Sequence, residues 1–284
     1  MKTEQNSKTV RAMVESAIMV ALAVVLGLFK LFEMPFGGSI TFASMLPIAL
    51  ISYRHGLLYG FGAGLCQGVI ETLLGLNTVS YVTGWASVLA VILLDYVLAF
   101  AMMGIAGIFR GKLGSQSGEL TLGCLLGAFL RYVCHVISGA TVWAGLSIPT
   151  SAVLIGSIGY NATYMLPETV VLMLVALYLS EMLDFTKPVP TRIRRMDNGR
   201  DRVPFVLSAV SALFLLVALV FDVGSIFSGL QGEGGFDVSA IGSVDWTLVF
   251  GITAAALAVS TVLLFVALSR VLTAKRSESD SAAE

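Results

Sequence analysis

The sequence predicts an all-α integral membrane protein in which six helices are followed by a two-helix transmembrane hairpin. Of its 284 residues, 57% are hydrophobic and only 12% are charged, and the mean hydropathy is +0.90. A soluble domain averages about 25% charged residues, so roughly half of the usual charge is missing. The apolar residues also gather into long runs, and about 20 such residues span a hydrocarbon core of roughly 30 Å.

Polar breaks divide the chain into eight apolar runs. In order, the runs are Val10–Phe32, Thr41–Tyr53, Leu57–Leu76, Val82–Phe109, Glu119–Leu146, Ser151–Leu183, Pro204–Phe221 and Trp246–Val271. The second run is short, which leaves a tilted or partial crossing open. The first lacks a small-residue cleavage site, so we expect a retained span rather than a signal peptide. A series of glycines in the third run predicts close helix packing.

The basic residues predict the orientation. With the N-terminus inside, fifteen of the seventeen Lys and Arg residues fall in inner segments, and the predicted outer loops hold none. The other two, Lys30 and Arg131, lie within apolar runs. This asymmetry follows the positive-inside rule. We therefore expect a multi-pass protein of the cell membrane with both termini in the cytoplasm.

A polar, basic segment with prolines separates the first six runs from the last two. The predicted organisation is a six-helix domain at 1–183, a cytoplasmic linker at 184–203, a transmembrane hairpin at 204–272 and a cytoplasmic tail at 273–284. We expect no buried ionisable side chain in the two hairpin helices. The six-helix domain is therefore the expected place of substrate binding.

Four ionisable residues of that domain stand deep within predicted spans: Asp95 in the fourth, Arg131 and His135 in the fifth and Glu168 in the sixth. A charge at the bilayer centre costs about 2.5–3.5 kcal/mol on insertion scales, so it needs a partner or a function. The spacing of four places Arg131 and His135 on one helical face. One interpretation is a buried ion-pair cluster that only fixes helix packing.

Neighbouring residues favour a binding site instead. Asn161 and Tyr164 share a helical face with Glu168, and the group offers more hydrogen-bonding capacity than it can satisfy internally. Aromatic residues accompany it: Trp85, Tyr96, Trp143 and Tyr164. An aromatic wall beside an acid suits a flat cationic heterocycle through stacking, cation–π attraction and charge pairing.

Other chemistries lack support in the sequence. The three cysteines lie inside apolar runs without a metal-binding spacing, and no Walker, HExxH or GxSxG motif occurs. We expect no catalytic residue, cofactor or metal site, no nucleic-acid partner and no ATP hydrolysis by this chain. A proton-coupled carrier that uses Asp95, Arg131 and Glu168 as a relay stays open as an alternative.

Five motifs in register then carry a resemblance to a known family. They are PFGGSI at 35–40, MLPI with YRHGL at 45–57, LDYVLAF at 94–100, RYVCHVISG at 131–139 and YNATYMLPE at 160–168. Through them, residues 12–183 resemble the thiamine-specific S-component of energy-coupling-factor (ECF) vitamin transporters. The hairpin lies outside that six-helix unit.

The resemblance implies high-affinity capture of thiamine from outside, with release inward through a membrane T-component and two cytoplasmic ATPases. It implies these substrate contacts: Trp85, Asp95, Tyr96, Arg131, His135, Trp143 and Asn161. It also implies that Ala17 and Ala21 of the first helix face the T-component. Another vitamin or a thiamine precursor stays possible as the substrate.

The sequence departs from the family pattern in three ways. The acid is commonly Glu, whereas Asp95 is one methylene shorter, and the basic residue is Arg131 rather than Lys. The first loop lacks a tryptophan, and Phe36 is its nearest aromatic residue. A guanidinium forms forked contacts where an ammonium acts as a point charge, so we expect the details of binding to differ.

Overall fold

A computed structural model of the chain describes residues 2–34, 37–76, 82, 84–142, 148, 150–193, 203–232, 235–236 and 243–281. Its internal contacts divide the chain into two compact units, Met1–Ile193 and Arg194–Glu284. Within the described ranges, seven helices are long and apolar enough to cross a membrane. The protein is a mostly helical, multi-pass membrane protein, as predicted.

The described residues of the first unit form six helices. They are α1 (Lys2–Leu28), α2 (Leu46–His55), α3 (Leu57–Leu74), α4 (Trp85–Phe109), α5 (Gln116–Thr141) and α6 (Ser151–Met182). Strands β1 (Lys30–Glu33) and β2 (Ser39–Thr41) form a hairpin between α1 and α2, and β3 (Leu183–Asp184) pairs with β4 (Thr191–Arg192) after α6. The first helix therefore ends before the predicted Phe32, because the chain turns into the β-hairpin.

Helix α2 is shorter than the second apolar run. Its ten residues rise about 15 Å, half of the roughly 30 Å that a full crossing requires. Nine of those ten residues are buried. Because it is enclosed by its neighbours, α2 is an internal helix of the bundle, and the apolar run reflects burial in protein rather than contact with lipid.

Helices α3 and α4 approach closely along a ridge of glycines. A Cβ atom on Gly64 would lie 2.6 Å from the carbonyl oxygen of Phe100, and one on Gly68 would lie 2.7 Å from that of Tyr96. Gly60 faces Gly104 in the same way, at 2.8 Å. The predicted close packing is confirmed at these three positions of α3.

Helix α4 changes its winding along its length. Residues Trp85–Val91 are α-helical, Ile92–Leu98 form π-helical turns, and Met103–Phe109 form a 3₁₀ segment. π-Helical turns are rare and occur mostly at functional sites. In this helix they carry Asp95 and its neighbour Tyr96.

Arg54, near the end of α2, joins three parts of the first unit. Its buried guanidinium pairs with Glu15 of α1. It also donates to the carbonyl oxygens of Phe185 at 2.9 Å, Lys187 at 3.2 Å and Pro188 at 2.9 Å. One side chain thus holds the segment after α6 against the start of the bundle.

The second unit is a helical hairpin of α7 (Val203–Gly229) and α8 (Trp246–Ser281), with strands β5 (Gln231–Gly232) and β6 (Gly235–Phe236) between them. The hydroxyls of Ser211 and Ser260 donate reciprocally to each other's carbonyl oxygens, at 3.4 and 3.1 Å. These bonds fix the register of the two helices.

The predicted end of the first hairpin helix at Phe221 is wrong. Helix α7 continues to Gly229 and so includes Asp222, which is partly buried. The hydroxyl of Thr253 in α8 donates to its carboxylate at 2.5 Å. A partly buried acid therefore lies within the hairpin, where a threonine hydroxyl partly compensates its desolvation.

Candidate substrate-binding site

The carboxylate of Asp95 is held by two residues of α5. Its Oδ1 atom lies 2.9 Å from Nδ1 of His135, and its Oδ2 atom accepts a hydrogen bond from the hydroxyl of Ser138 at 2.6 Å. The side chain retains 14% of its accessible surface. Both oxygens of this acid therefore lie at hydrogen-bond distance from side chains of α5.

His135 connects this acid to Arg131. The Nε atom of Arg131 donates to Nε2 of His135 at 3.3 Å. The imidazole ring thus stands between the guanidinium of Arg131 on one side and the carboxylate of Asp95 on the other.

Arg131 is almost fully buried and has two further contacts. Its Nη1 atom lies 3.7 Å from Oε2 of Glu168, and its guanidinium carbon stands 4.3 Å from the ring centroid of Phe100. Glu168 in turn accepts a hydrogen bond at Oε1 from Thr41 of β2, at 2.7 Å. The predicted group of four ionisable residues therefore exists as one connected network.

Helix α6 contributes an amide and two aromatic rings. Tyr164 donates from its hydroxyl to Oδ1 of Asn161 at 2.7 Å, while the amide nitrogen of Asn161 donates to the carbonyl oxygen of Ser157 at 2.9 Å. The ring of Tyr164 meets the rings of His135 and Tyr160 edge to face, with centroids 6.1 and 6.2 Å apart. These rings form an aromatic border next to the Asp95 carboxylate.

The loop of the β1–β2 hairpin is fastened to this aromatic border. The hydroxyl of Tyr160 donates to the carbonyl oxygen of Gly37 at 2.7 Å. Gly38 has a φ of +90°, and a Cβ atom there would lie 2.6 Å from the ring of Tyr164. Both its backbone conformation and the close approach of the ring require glycine at this position.

The remaining predicted residues lie as follows. Tyr96 is partly buried, and its hydroxyl lies 3.4 Å from the carbonyl oxygen of Gly75, at the end of α3. Trp85 is the first residue of α4 and is 82% exposed, so its side chain stands apart from the buried group. Trp143 lies outside the described residues. Ala17 and Ala21 are both exposed on α1.

Two polar residues of the network, Ser138 and Thr41, were not predicted from the sequence. Ser138 follows His135 by three residues, which is the spacing of neighbours on one helical face and could have indicated it. Thr41 comes from a strand that is distant in sequence, and no local pattern indicates its contact with Glu168.

The comparisons with known proteins concern the first unit. Residues 13–187 match the sequence model of the thiamine transporter protein family (Thia_YuaJ). The chain belongs to this family. The matched range includes Asp95, Arg131, His135 and Glu168, whereas the hairpin of α7 and α8 lies beyond it.

Two thiamine transporters and one solved structure are similar to this chain. Thiamine transporter ThiT of Bacillus subtilis is 35% identical over 181 residues, which cover 60% of this chain and 90% of that protein. ThiT of Lacticaseibacillus paracasei is 26% identical over 189 residues, covering 60% and 87%. A solved structure of ThiT from Listeria monocytogenes aligns with a TM-score of 0.49 and 23% identity, over 61% of this chain and 94% of that one.

Proposed function

We propose that this chain is a thiamine-capture subunit, the S-component of an ECF vitamin importer. It takes thiamine from outside the cell and delivers it inward through a T-component and two ATPases. Membership of the thiamine transporter family supports the substrate class. The proposed location is the cell membrane with both termini in the cytoplasm, in line with the distribution of basic residues. As a capture subunit, the chain has no enzymatic activity of its own.

The observation that carries the proposal is a partly accessible acid within the membrane-spanning helices. Asp95 keeps 14% of its side-chain surface, and its two oxygens lie 2.9 Å from His135 and 2.6 Å from Ser138. An acid at this depth suits a cationic ligand, because a cation offsets the charge of a carboxylate.

Thiamine has the properties that this site would select. Its thiazolium ring carries a permanent positive charge, and both of its rings are flat. The Asp95 carboxylate supplies the opposite charge, and the aromatic border of Tyr160 and Tyr164 supplies flat, polarisable surface beside it. Trp143 stays a predicted stacking residue, and Asn161 and Tyr96 stay predicted polar contacts. The domain for this function is residues 1–183.

Ligand titration tests the substrate. Purified full-length protein is titrated calorimetrically with thiamine, its phosphates, the free aminopyrimidine precursor and uncharged riboflavin. We expect saturable binding of thiamine at micromolar concentration or below, and none of riboflavin. Absence of saturable thiamine binding, or equal binding of riboflavin, would overturn the proposal.

A second experiment tests the partners. Ala17 and Ala21 are small and exposed on α1, as contact with another membrane helix would require. We expect Ala17→Trp and Ala21→Trp to prevent co-purification with the T-component and ATPases while thiamine binding persists. Ala254→Trp, at an exposed alanine of α8, is the matched control. Proton-driven uptake into liposomes without partner subunits would instead establish a self-sufficient carrier.

A further inference from the structure

Two short segments meet where α4 and α6 end and α5 begins. One is the α4–α5 loop, residues 110–115, and the other is the β3–β4 hairpin that follows α6, residues 183–192. Gln116 joins them. Its amide nitrogen donates to the carbonyl oxygen of Leu183 at 2.7 Å, and its amide oxygen accepts from the backbone nitrogen of Phe185 at 2.7 Å. The loop and the hairpin therefore form one continuous surface.

Buried side chains hold both segments in place. Glu119 accepts hydrogen bonds from the hydroxyl of Tyr53 at 2.8 Å and from the backbone nitrogen of Leu113, in the loop, at 3.2 Å. The guanidinium of Arg54 donates to three carbonyl oxygens of the hairpin, and the carbonyl oxygen of Arg54 accepts from Arg110 of the loop. A partner that binds this surface therefore finds its backbone already ordered, which lowers the entropic cost of binding.

The surface is basic. Within residues 110–116 and 183–193, which the structure describes, the exposed ionisable side chains are all cations: Arg110, Lys112, Lys187 and Arg192. The acids beside them, Glu181 and Asp184, are only partly exposed. Asp184 is engaged by the hydroxyl of Thr186 at 2.5 Å and by the Lys187 ammonium at 3.6 Å. Four cations against two partly buried acids give the surface a positive charge.

Aliphatic side chains are exposed beside these cations. Leu113 is 46% exposed, Val189 is 64% exposed and Ile193 is 38% exposed. Leu113 directly follows Lys112, and Ile193 directly follows Arg192. Aliphatic residues interleaved with Lys and Arg at the ends of membrane-spanning helices have the composition of an interfacial anchor. The apolar side chains of such an anchor enter the edge of the acyl region, while its cations meet the lipid phosphates.

We propose that this surface, formed by the α4–α5 loop and the β3–β4 hairpin, binds the headgroups of anionic phospholipids in the inner leaflet. The inference rests on the orientation given with the proposed function, in which these helix ends face the cytoplasm. The cytoplasmic leaflet carries a negative surface potential that attracts cations next to the membrane. Lipids bound here hold this end of the six-helix unit at the level of the headgroups.

A role of these cations in topology alone makes a different prediction. Basic residues direct the orientation of helices as they insert, and a signal of this kind gives the folded protein no preference among lipids. A lipid-binding surface keeps a preference for anionic headgroups after purification, and this preference weakens as salt screens the charges. The quantity to measure is therefore the ratio of two dissociation constants, for phosphatidylcholine and for phosphatidylglycerol with the same acyl chains.

The test uses purified full-length protein in an uncharged detergent. Thermal unfolding during titration with each lipid gives the two apparent dissociation constants. We expect phosphatidylglycerol to bind at least about tenfold more tightly than phosphatidylcholine. The combined variant Lys112→Gln, Lys187→Gln, Arg192→Gln should lower this preference at least about fivefold, the factor that one basic residue contributes near an anionic surface. Glycerol phosphate, which has the same phosphate group without acyl chains, should not stabilise the protein.

Lys30→Gln is the matched control for the single variant Lys112→Gln. Each substitution removes one exposed cation, but Lys30 lies in β1, beyond the opposite end of α1. Lys112→Gln should lower the preference at least about twofold, whereas Lys30→Gln should leave it unchanged. If the combined variant does not fold, this pair of single variants decides.

Three results would overturn the inference. They are equal stabilisation by the two lipids, equal stabilisation by glycerol phosphate, and an unchanged preference in the combined variant. If the combined variant keeps the preference but no longer co-purifies with the T-component and ATPases, the surface binds protein rather than lipid. Thiamine titration of the same wild-type sample tests the proposed function separately, because the lipid preference in detergent does not depend on bound thiamine.

Discussion

Nδ1 of His135 lies 2.9 Å from Oδ1 of Asp95, while Nε2 on the opposite side of the same ring accepts a hydrogen bond from Arg131. The ring therefore stands between the guanidinium of one residue and the carboxylate of the other. The second oxygen of Asp95 accepts a hydrogen bond from Ser138 at 2.6 Å. Two residues of α5 thus orient the acid, which keeps 14% of its side-chain surface for a substrate.

Removing the charge of Asp95 should weaken thiamine binding sharply. Loss of one member of a buried charge pair costs about 2–5 kcal/mol, so we expect Asp95→Asn to raise the dissociation constant at least about 30-fold. Asp95→Glu restores the acid that is common in the family and should bind within a few-fold of wild type. Calorimetric titration measures both, and unchanged affinity in Asp95→Asn would remove Asp95 from the site.

Ser138→Ala should weaken thiamine binding without loss of stability. Its hydroxyl donates to Oδ2 of Asp95 at 2.6 Å. Hydrogen bonds to charged groups contribute about 1.5–3 kcal/mol, so we expect about tenfold weaker binding or more. Ser180→Ala is the control, because the hydroxyl of this buried serine donates, among the described residues, to the carbonyl oxygen of Leu177 on its own helix. Equal effects of the two substitutions would show that the loss is not specific to Asp95.

Four members of the buried network could be predicted from the sequence, because ionisable residues are rare in membrane spans. Asp95, Arg131 and Glu168 each interrupt an apolar run, and the spacing of Arg131 and His135 defines a shared face. All of them join the network in the structure. Trp85 was also a predicted contact, and its side chain is exposed. An aromatic residue near a helix end suits the membrane interface as well as a binding site, so its place in the sequence does not distinguish the two.

Other features depended on contacts that no local pattern carries. The segment Ile92–Leu98 has the sequence of an ordinary apolar helix, yet it forms π-helical turns, and these turns carry Asp95. The apolar run at 41–53 has the composition of a membrane span, but its helix is short and enclosed. Hydropathy reports removal from water, and it does not distinguish lipid from protein.

Arg54 should matter for stability rather than for ligand preference. Arg54→Ala removes the guanidinium beside Glu15, which keeps only His55 at 2.9 Å among its described neighbours, and it removes the donor of three carbonyl oxygens. We expect a loss of about 3–5 kcal/mol in unfolding free energy. Thermal unfolding in detergent, followed by far-ultraviolet circular dichroism, measures it.

Lys187→Ala is the control for that experiment. Lys187 has a side chain that is 58% exposed and a surface pair with Asp184 at 3.6 Å, so its removal should change the unfolding temperature little. If both variants unfold at the wild-type temperature, the contacts of Arg54 contribute no net stability.

Two glycines on helix α3 offer a sharp test of the packing between α3 and α4. A Cβ atom on Gly64 would lie 2.6 Å from the carbonyl oxygen of Phe100, and backbone atoms cannot yield as a flexible side chain can. Gly64→Ala should therefore push the helices apart and destabilise the fold by about 1–3 kcal/mol, as overpacking does.

Gly62 has nothing within 4 Å of such a Cβ. Gly62→Ala should stabilise the helix by up to about 1 kcal/mol, because alanine has the higher helix propensity. Thermal unfolding of the two single variants measures the difference in their stability. Because α4 carries Asp95, Gly64→Ala should also weaken thiamine binding. Equal stability of the two variants would show that α3 and α4 do not pack along this ridge.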